Sequence, residues 1–199
     1  MNLLCQTPLF FSETWLDLNE PIHIPGYVGH HTVRQGRSGG VSLFVKQSLS
    51  SEKIEQFSYA NENIEICTVK ISSSSSNIIL CGIYRPHSGT IENFTISLES
   101  ILEHNIFGNS TCIIGGDYNI NMFSECEHVD RFIDMMRSHH YIQTITDITH
   151  PGSDLSASSL IDHIWINQLT SYHSGIIRSG ITDHYTTFIQ IPFTSKKII

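Results

Sequence analysis

Short runs of β-branched and aromatic residues recur along the chain and constrain its fold more than any other feature. Such runs favour β-strands, and they occupy residues 41–45, 78–84, 112–115, 160–166 and 187–191. Two other segments carry apolar residues at helical spacing, at 94, 98, 101 and 102 and at 129, 132, 133 and 136. Ser124 and Glu127 have the spacing of a capping box before the second of these segments. Strands that outnumber the helices between them predict an α/β protein with mixed strand directions.

A run of serines at 72–76 separates two apolar stretches, 64–71 and 77–84. Two strand-like runs joined by small polar residues predict a hairpin. The alternative is a flexible linker, but it would leave two pieces too small to hold separate cores. We therefore expect one domain over residues 1–199.

The composition limits the classes of function. Hydrophobic residues make up 40% of the chain and charged residues 15%, which excludes a wholly disordered protein. A formal charge of −8 argues against a coat protein that holds nucleic acid on a basic face. It leaves open an enzyme that meets phosphate through metal ions, because carboxylates are then the ligands.

Cysteine usage and the first residues indicate the compartment. The five cysteines form neither a CxxC pair nor an even set, which favours reduced thiols inside a cell. The apolar stretch at 3–11 has no basic flank and is interrupted at 6–8, so it is neither a signal peptide nor a membrane span. We expect an intracellular protein, nuclear or cytoplasmic, without a membrane partner.

Polar residues stand at or near the ends of several strand-like runs. Asp117 and Asn119 follow the run 112–114 through two glycines, a pattern that is also typical of an ordinary turn. Asp162 lies inside the apolar run 159–166, where a carboxylate needs a partner: a histidine, a metal ion or backbone amides. His184 is the candidate histidine, and such a pair would hold its ring in one tautomer.

Glu13, Tyr84 and Asp183 complete this set, although each alone has an ordinary structural interpretation. An oxygen-rich set with one histidine is typical of Mg²⁺ or Mn²⁺ rather than zinc chemistry. The adjacent histidine pairs at 30–31 and 139–140 lack the spacing of zinc ligands.

Six segments together carry a family resemblance. They are Ser-Glu-Thr-Trp-Leu at 12–16, Gly-Gly-Val at 39–41, Tyr-Arg-Pro at 84–86, Gly-Asp-Tyr-Asn at 116–119, Ser-Leu-Ile-Asp-His-Ile at 159–164 and Thr-Asp-His at 182–184. In this order they span nearly the whole chain. The chain resembles the endonuclease/exonuclease/phosphatase superfamily (deoxyribonuclease I-like), and most closely the endonuclease domain of LINE-type non-LTR retrotransposons.

The resemblance implies a fold, a reaction and a set of roles. The fold is a four-layer α/β/β/α sandwich of two mixed sheets with outer helices, and the reaction is hydrolysis of a DNA phosphodiester with Mg²⁺ or Mn²⁺ and no small-molecule cofactor. A reverse-transcriptase region outside this chain is the implied partner. The resemblance assigns metal binding to Glu13, Asp117 and Asp183, and catalysis to Tyr84, Asp117, Asn119, Asp162 and His184.

Three departures from the family pattern shape the expectation. The first strand of the family, which ends in an asparagine, has no counterpart here, so we expect an N-terminally truncated domain that lacks this strand and is marginal or inactive. The stretch Thr149-His150-Pro151-Gly152 lacks the usual arginine, and Thr182 stands where serine is usual. Two alternatives stay open: an abasic-site endonuclease or phosphoinositide phosphatase, and an inactive relic or binding module.

Overall fold

The computed structural model of the chain describes residues 8–17, 22–34, 39–72, 77–152, 157–168 and 171–192. Its strands are β1 (Leu9–Ser12), β2 (Tyr27–Thr32), β3 (Val41–Lys46), β4 (Ser50–Lys53), β5 (Tyr59–Ala60), β6 (Glu65–Ser72), β7 (Asn77–Tyr84), β8 (Thr111–Asp117), β9 (Ile142–Gln143), β10 (Asp162–Ile166), β11 (His173–Ile177) and β12 (Thr186–Gln190). Its helices are α1 (Ile91–Leu102), α2 (Asn105–Asn109) and α3 (Glu127–Ser138), with a 3₁₀ turn at Glu55–Phe57.

All five predicted strand regions form strands, with shifted ends. The run 160–166 becomes a strand only from Asp162, so this carboxylate opens β10 rather than lying inside it. The end of the apolar stretch at 3–11 forms β1, and residues 1–7 lie outside the described part of the chain. No helix in the described ranges is long and apolar enough to cross a membrane.

A seven-stranded mixed sheet forms the centre of the molecule. Its strand order is β4-β6-β7-β8-β10-β9, and β5 also pairs with β6. Strands β7 and β8 are parallel, whereas the other pairs are antiparallel. The antiparallel pairing of β6 with β7 confirms the predicted hairpin, whose connection at 73–76 lies outside the described residues.

A smaller antiparallel sheet, in the order β1-β3-β2, packs against one face of this central sheet. Val41, Leu43 and Val45 of β3 meet apolar side chains of β6, β7, β8 and β10 in a buried layer. A Cβ on Gly82 would lie 2.8 Å from the Cγ1 of Val41, so glycine allows the two sheets to approach closely. The two-stranded β11-β12 sheet contributes Ile176 and Ile189 to the same layer.

Helices cover the other face of the central sheet. The α1 stripe of Phe94, Leu98, Ile101 and Leu102 is buried as predicted, and Thr90 caps the helix by accepting from the Asn93 amide. In α3 the buried residues are Val129, Phe132, Met135 and Met136, while Ile133 is only partly buried. Two packed sheets with outer helices confirm the expected α/β sandwich; within the described ranges, α1, α2 and α3 all pack on the central sheet.

The predicted capping box of α3 is wrong. The cap residue is Cys126, whose carbonyl accepts from the Val129 and Asp130 amides, and it makes no side-chain cap bond. Ser124 instead belongs to a preceding turn, in which its amide donates to the Asn121 carbonyl. Because this turn uses Ser124, the helix begins after the cap position that the sequence pattern predicts.

Candidate active site

Strand register places three of the predicted site residues side by side. Tyr84 and Asp117 are the last residues of β7 and β8, and these parallel strands pair them directly. Asp162 is the first residue of the antiparallel β10 and lies opposite Asp117. The three side chains therefore share one edge of the central sheet, where the strand ends meet.

Gly116 allows Asp117 to reach this edge. Its φ of 147° is in a region that L side chains rarely adopt, and a Cβ there would lie 1.9 Å from the Ile83 carbonyl oxygen. The glycine before the aspartate is thus required by the close approach of β7.

Asp117 is a buried carboxylate with two acidic neighbours. Its side chain accepts a hydrogen bond of 2.9 Å from the Asn119 amide, and the residue is 7% exposed. Burial first, and then the negative charges of Asp162 and Glu13, raise the pKa of Asp117 to about 7, although His184 partly offsets them. A carboxylate in this environment is well placed to gain from a bound cation.

The predicted pairing of Asp162 with His184 is present. The Nδ1 of His184 lies 2.9 Å from the Oδ2 of Asp162, and this bond is the largest cause that raises the pKa of His184 to about 9. Thr149 anchors the carboxylate's backbone, because its Oγ1 accepts from the amides of Ile161 and Asp162 at 3.0 Å. Thr182 keeps a serine-like role, since its hydroxyl accepts from the His184 amide at 3.1 Å.

Glu13 comes to the same edge from the smaller sheet, directly after β1. The Tyr84 hydroxyl donates a short hydrogen bond to the Glu13 carboxylate. Burial and this negative neighbour raise the pKa of Tyr84, which keeps the phenol protonated. Glu13 and Trp15 both have positive φ, and the Thr14 and Trp15 amides hold this loop by donating to the carbonyls of Gly40 and Gly39.

Arg85 and Asn119 brace the turn that follows β8. Arg85 is 7% exposed and donates to the carbonyls of Tyr118, Gly89 and Asn119 at 2.6–2.7 Å. Asn119, with φ of 48°, returns a bond of 2.9 Å from its Nδ2 to the Arg85 carbonyl. The bracing function of Arg85 was not predicted, although the residue lies inside the Tyr-Arg-Pro segment.

Asp183 lies beside His150. Its side chain is 81% exposed, and its Oδ2 is 3.7 Å from the Nε2 of His150. Potential ligand atoms of His150, Asp183 and His184 lie within 4.8 Å of one another, and so do those of Asp117, Asp162 and His184. His184 belongs to both groups, which places the two groups next to each other.

Glu65 is a further buried acid, which the sequence motifs do not predict. It is fully buried at the start of β6, opposite Tyr84, and accepts from the Gly40 amide at 2.5 Å and from Arg34 at 3.2 Å. A Cβ on Gly39 would lie 2.5 Å from its Oε1, so the glycine pair makes room for this carboxylate. An acid that opens an apolar strand, together with Gly39-Gly40, was the available signal.

Residues 8–184 match the sequence model of the Endonuclease/Exonuclease/phosphatase family. The chain belongs to this family. The match contains every candidate site residue from Glu13 to His184. A comparison with curated protein sequences finds no match.

Several solved enzyme structures have the same fold as this chain. The endonuclease domain of TRAS1, a telomere-specific non-LTR retrotransposon, superposes with a TM-score of 0.70 at 16% identity, covering 86% of this chain and 81% of that one. The catalytic domain of Xenopus laevis APE2 gives 0.65 at 16% identity, with 96% and 86% coverage. D. rerio TDP2 complexed with a single-strand DNA product gives 0.58 at 12%, with 89% and 82% coverage. At these identities the likeness shows the fold alone.

Proposed function

We propose that this family member is a divalent-metal-dependent phosphodiester hydrolase that nicks DNA, of the type found in non-LTR retrotransposons. The observation that carries the proposal is the convergence of Asp117, Asp162 and His184 at one edge of the central sheet. The similar structures include a retrotransposon endonuclease domain and a TDP2 complex with a DNA product, which supports DNA as the substrate class.

The donor atoms at this edge fit Mg²⁺ or Mn²⁺. Glu13 and Asp117 offer carboxylate oxygens from the two sheets, and we assign the metal to them, with Asp183 as a third carboxylate that would turn toward it. Burial first, and then the negative charge of Asp162, raise the pKa of Asp117, and a bound cation would offset both effects. Hard divalent cations prefer such oxygen ligands. When bound, the ion offsets the negative charge that develops on the phosphate.

His184 supplies the complementary positive charge. Since its pKa is raised to about 9, the ring is protonated near pH 7 and its Nε2–H can donate to a phosphate oxygen. Asp162 holds the ring through Nδ1, so the donor has a fixed direction. His184 would thus act on the phosphate, while Asp162 positions the ring of His184.

Asp117 and its neighbours would orient the water that attacks phosphorus. In this reaction the water oxygen forms a bond to phosphorus and loses a proton, while the bond from phosphorus to the sugar's 3′ oxygen breaks and that oxygen takes up a proton to leave as a 3′ hydroxyl. Asn119 stabilises the turn that presents Asp117, and we assign its side chain to the water and the phosphate: its Oδ1 would accept from the water, and the second N–H of its Nδ2 would donate to the phosphate. The Tyr84 hydroxyl, held by Glu13, would contact the phosphate or the leaving oxygen.

The cellular setting belongs to the same proposal. We propose that the protein acts inside the cell, in the nucleus or the cytoplasm. We also propose that residues 1–199 form one domain. A reverse-transcriptase region elsewhere would use the 3′ hydroxyl at the nick as a primer.

The experiment is a cleavage assay on three substrates. Purified protein is incubated with supercoiled plasmid, with a duplex that carries one abasic site and with a phosphoinositide, in Mg²⁺ and then in EDTA. The proposal predicts Mg²⁺-dependent conversion of plasmid to the open circle. Cleavage of the abasic duplex alone, or release of phosphate from the lipid alone, would favour the other enzymes. No turnover of any substrate would favour the inactive relic.

A further inference from the structure

His150, Asp183 and His184 form a second group of potential ligands beside the oxygen-rich edge, and it contains two imidazoles. One ligand atom from each residue lies within 4.8 Å of the other two. The rings of His150 and His184 are 5.0 Å apart between centroids, at 66° to each other. Imidazole nitrogens suit zinc, copper and nickel, whereas Mg²⁺ prefers oxygen. The composition of this group therefore selects a different class of ion from the one assigned to Glu13 and Asp117.

The distance between the ligand atoms of His150 and Asp183 is close to that in a zinc centre. With bonds of roughly 2.0–2.1 Å in a tetrahedron, two ligand atoms lie about 3.4 Å apart. The Nε2 of His150 and the Oδ2 of Asp183 are 3.7 Å apart, so a shift of a few tenths of an ångström would bring them into place. The side chains of His150 and His184 are 24% and 30% exposed, and that of Asp183 is 81% exposed. An ion can therefore enter from solvent.

Asp162 prepares His184 for such a role. Histidines that bind metals commonly donate their other ring N–H to a carboxylate, which fixes the tautomer and makes the ligating nitrogen more basic. The 2.9 Å bond between Nδ1 of His184 and Asp162 has this arrangement and leaves Nε2 as the free nitrogen. The ion would take the place of the proton that this nitrogen otherwise carries.

We propose that His150, Asp183 and His184 bind one Zn²⁺ ion, with water completing its coordination, and that this ion inhibits the enzyme. The inhibition rests on the proposed function, because the Nε2 of His184 cannot contact a phosphate while it binds zinc. Asp183 would be held at His150 in the same state. The site binds Zn²⁺ in preference to Mg²⁺, so inhibition occurs in excess Mg²⁺.

The test measures binding and activity separately on the 199-residue chain without a histidine tag. Binding is followed by the visible absorption of Co²⁺, a spectroscopic substitute for Zn²⁺, and by calorimetric titration with Zn²⁺ in excess Mg²⁺. His150→Ala removes one ligand, and the matched control is His128→Ala, an exposed histidine on α3. Wild type and H128A should bind one ion, with a Co²⁺ band that Zn²⁺ displaces. H150A should bind Zn²⁺ at least tenfold more weakly.

Equal Zn²⁺ affinity in H150A and wild type would overturn the site. The inhibition is tested by adding Zn²⁺ to the plasmid assay in Mg²⁺: wild type should lose nicking at zinc concentrations that leave H150A active. Equal inhibition of wild type and H150A by Zn²⁺ would overturn the inhibitory role of this site. If neither protein nicks DNA, the proposed function fails, while the binding data still decide whether the zinc site exists.

Discussion

Asp117 and Asp162 lie directly opposite each other on β8 and β10, yet their environments differ. Asp162 has an imidazole partner, because His184 lies 2.9 Å from its carboxylate. Asp117 is more deeply buried and accepts from the Asn119 amide, and its pKa is raised to about 7. One carboxylate thus orients a histidine, and the other is available for a cation and for water.

The first prediction concerns the pKa of His184. In wild type it should be near 9, and in Asp162→Asn it should fall to or below about 6.5, because the hydrogen bond to a carboxylate is the largest cause of the shift. Titration of the ring resonances by NMR measures both values. A pKa below 7 in wild type would contradict the pairing.

Asp162→Asn should also strongly reduce the rate of nicking, while it reduces the free energy of unfolding only modestly. The contribution of the pair to stability is complete below pH 6.5 and is lost as pH rises through about 9, since the folded-state pKa is the higher one. Because both side chains are partly exposed, we expect a loss of roughly 1–2 kcal/mol at pH 6. Urea unfolding measures it, and a loss of fold in the variant would contradict a positioning role.

Asp117 should destabilise the metal-free protein as pH rises. Its folded-state pKa of about 7 lies above the ordinary 3.8, so the folded state binds the proton more tightly between these values. Ionisation should lower the free energy of unfolding by up to about 4 kcal/mol between pH 4 and 7. Asp117→Asn should lack this part of the slope in urea titrations with EDTA. Identical slopes in the two proteins would contradict the raised pKa.

Added Mg²⁺ should raise the melting temperature of wild type more than that of Asp117→Asn. Ligand binding stabilises only the state that holds the site, and the variant loses one of the proposed ligands. Asp134→Asn on α3 is the matched control, because this carboxylate is 79% exposed and belongs to none of the six motif segments. Its shift should equal that of wild type. Equal shifts in all three proteins would remove Asp117 from the metal site.

Gly116→Ala should unfold the protein or cost more than about 3 kcal/mol, because the new Cβ would lie 1.9 Å from the Ile83 carbonyl oxygen. The control is Gly108→Ala in α2, where a Cβ meets no atom within 4 Å. Alanine there should be neutral or stabilising by roughly 0.5–1 kcal/mol. Urea unfolding of the two variants checks both values. Similar stabilities would show that β7 can move away from Gly116.

The sequence predicted those parts of the molecule in which one local pattern dominates. The hairpin of β6 and β7 and the stripe of α1 followed from apolar spacing. The pairing of Asp162 with His184 followed from the cost of an unpaired carboxylate and from the family motif. Each of these features follows from one pattern or motif, so it can be predicted without knowing how the strands and helices pack.

Features that depend on tertiary contacts were missed. An acid such as Glu65 at the start of a strand is usually solvated, and its burial beside Arg34 becomes visible only when β3 packs on β6. The position of Asp183 beside His150 depends on two loops that are far apart in sequence. The start of α3 was misplaced because a turn at Asn121 uses Ser124.

Metal-dependent DNA cleavage at Asp117 is tested by the rate of plasmid nicking in Mg²⁺, measured in parallel for wild type, Asp117→Asn and Asp134→Asn. We expect wild type and D134N to nick at the same rate, EDTA to stop both, and D117N to be at least a hundredfold slower while it remains folded. Nicking by D117N at the wild-type rate, or nicking by wild type that persists in EDTA, would contradict this expectation.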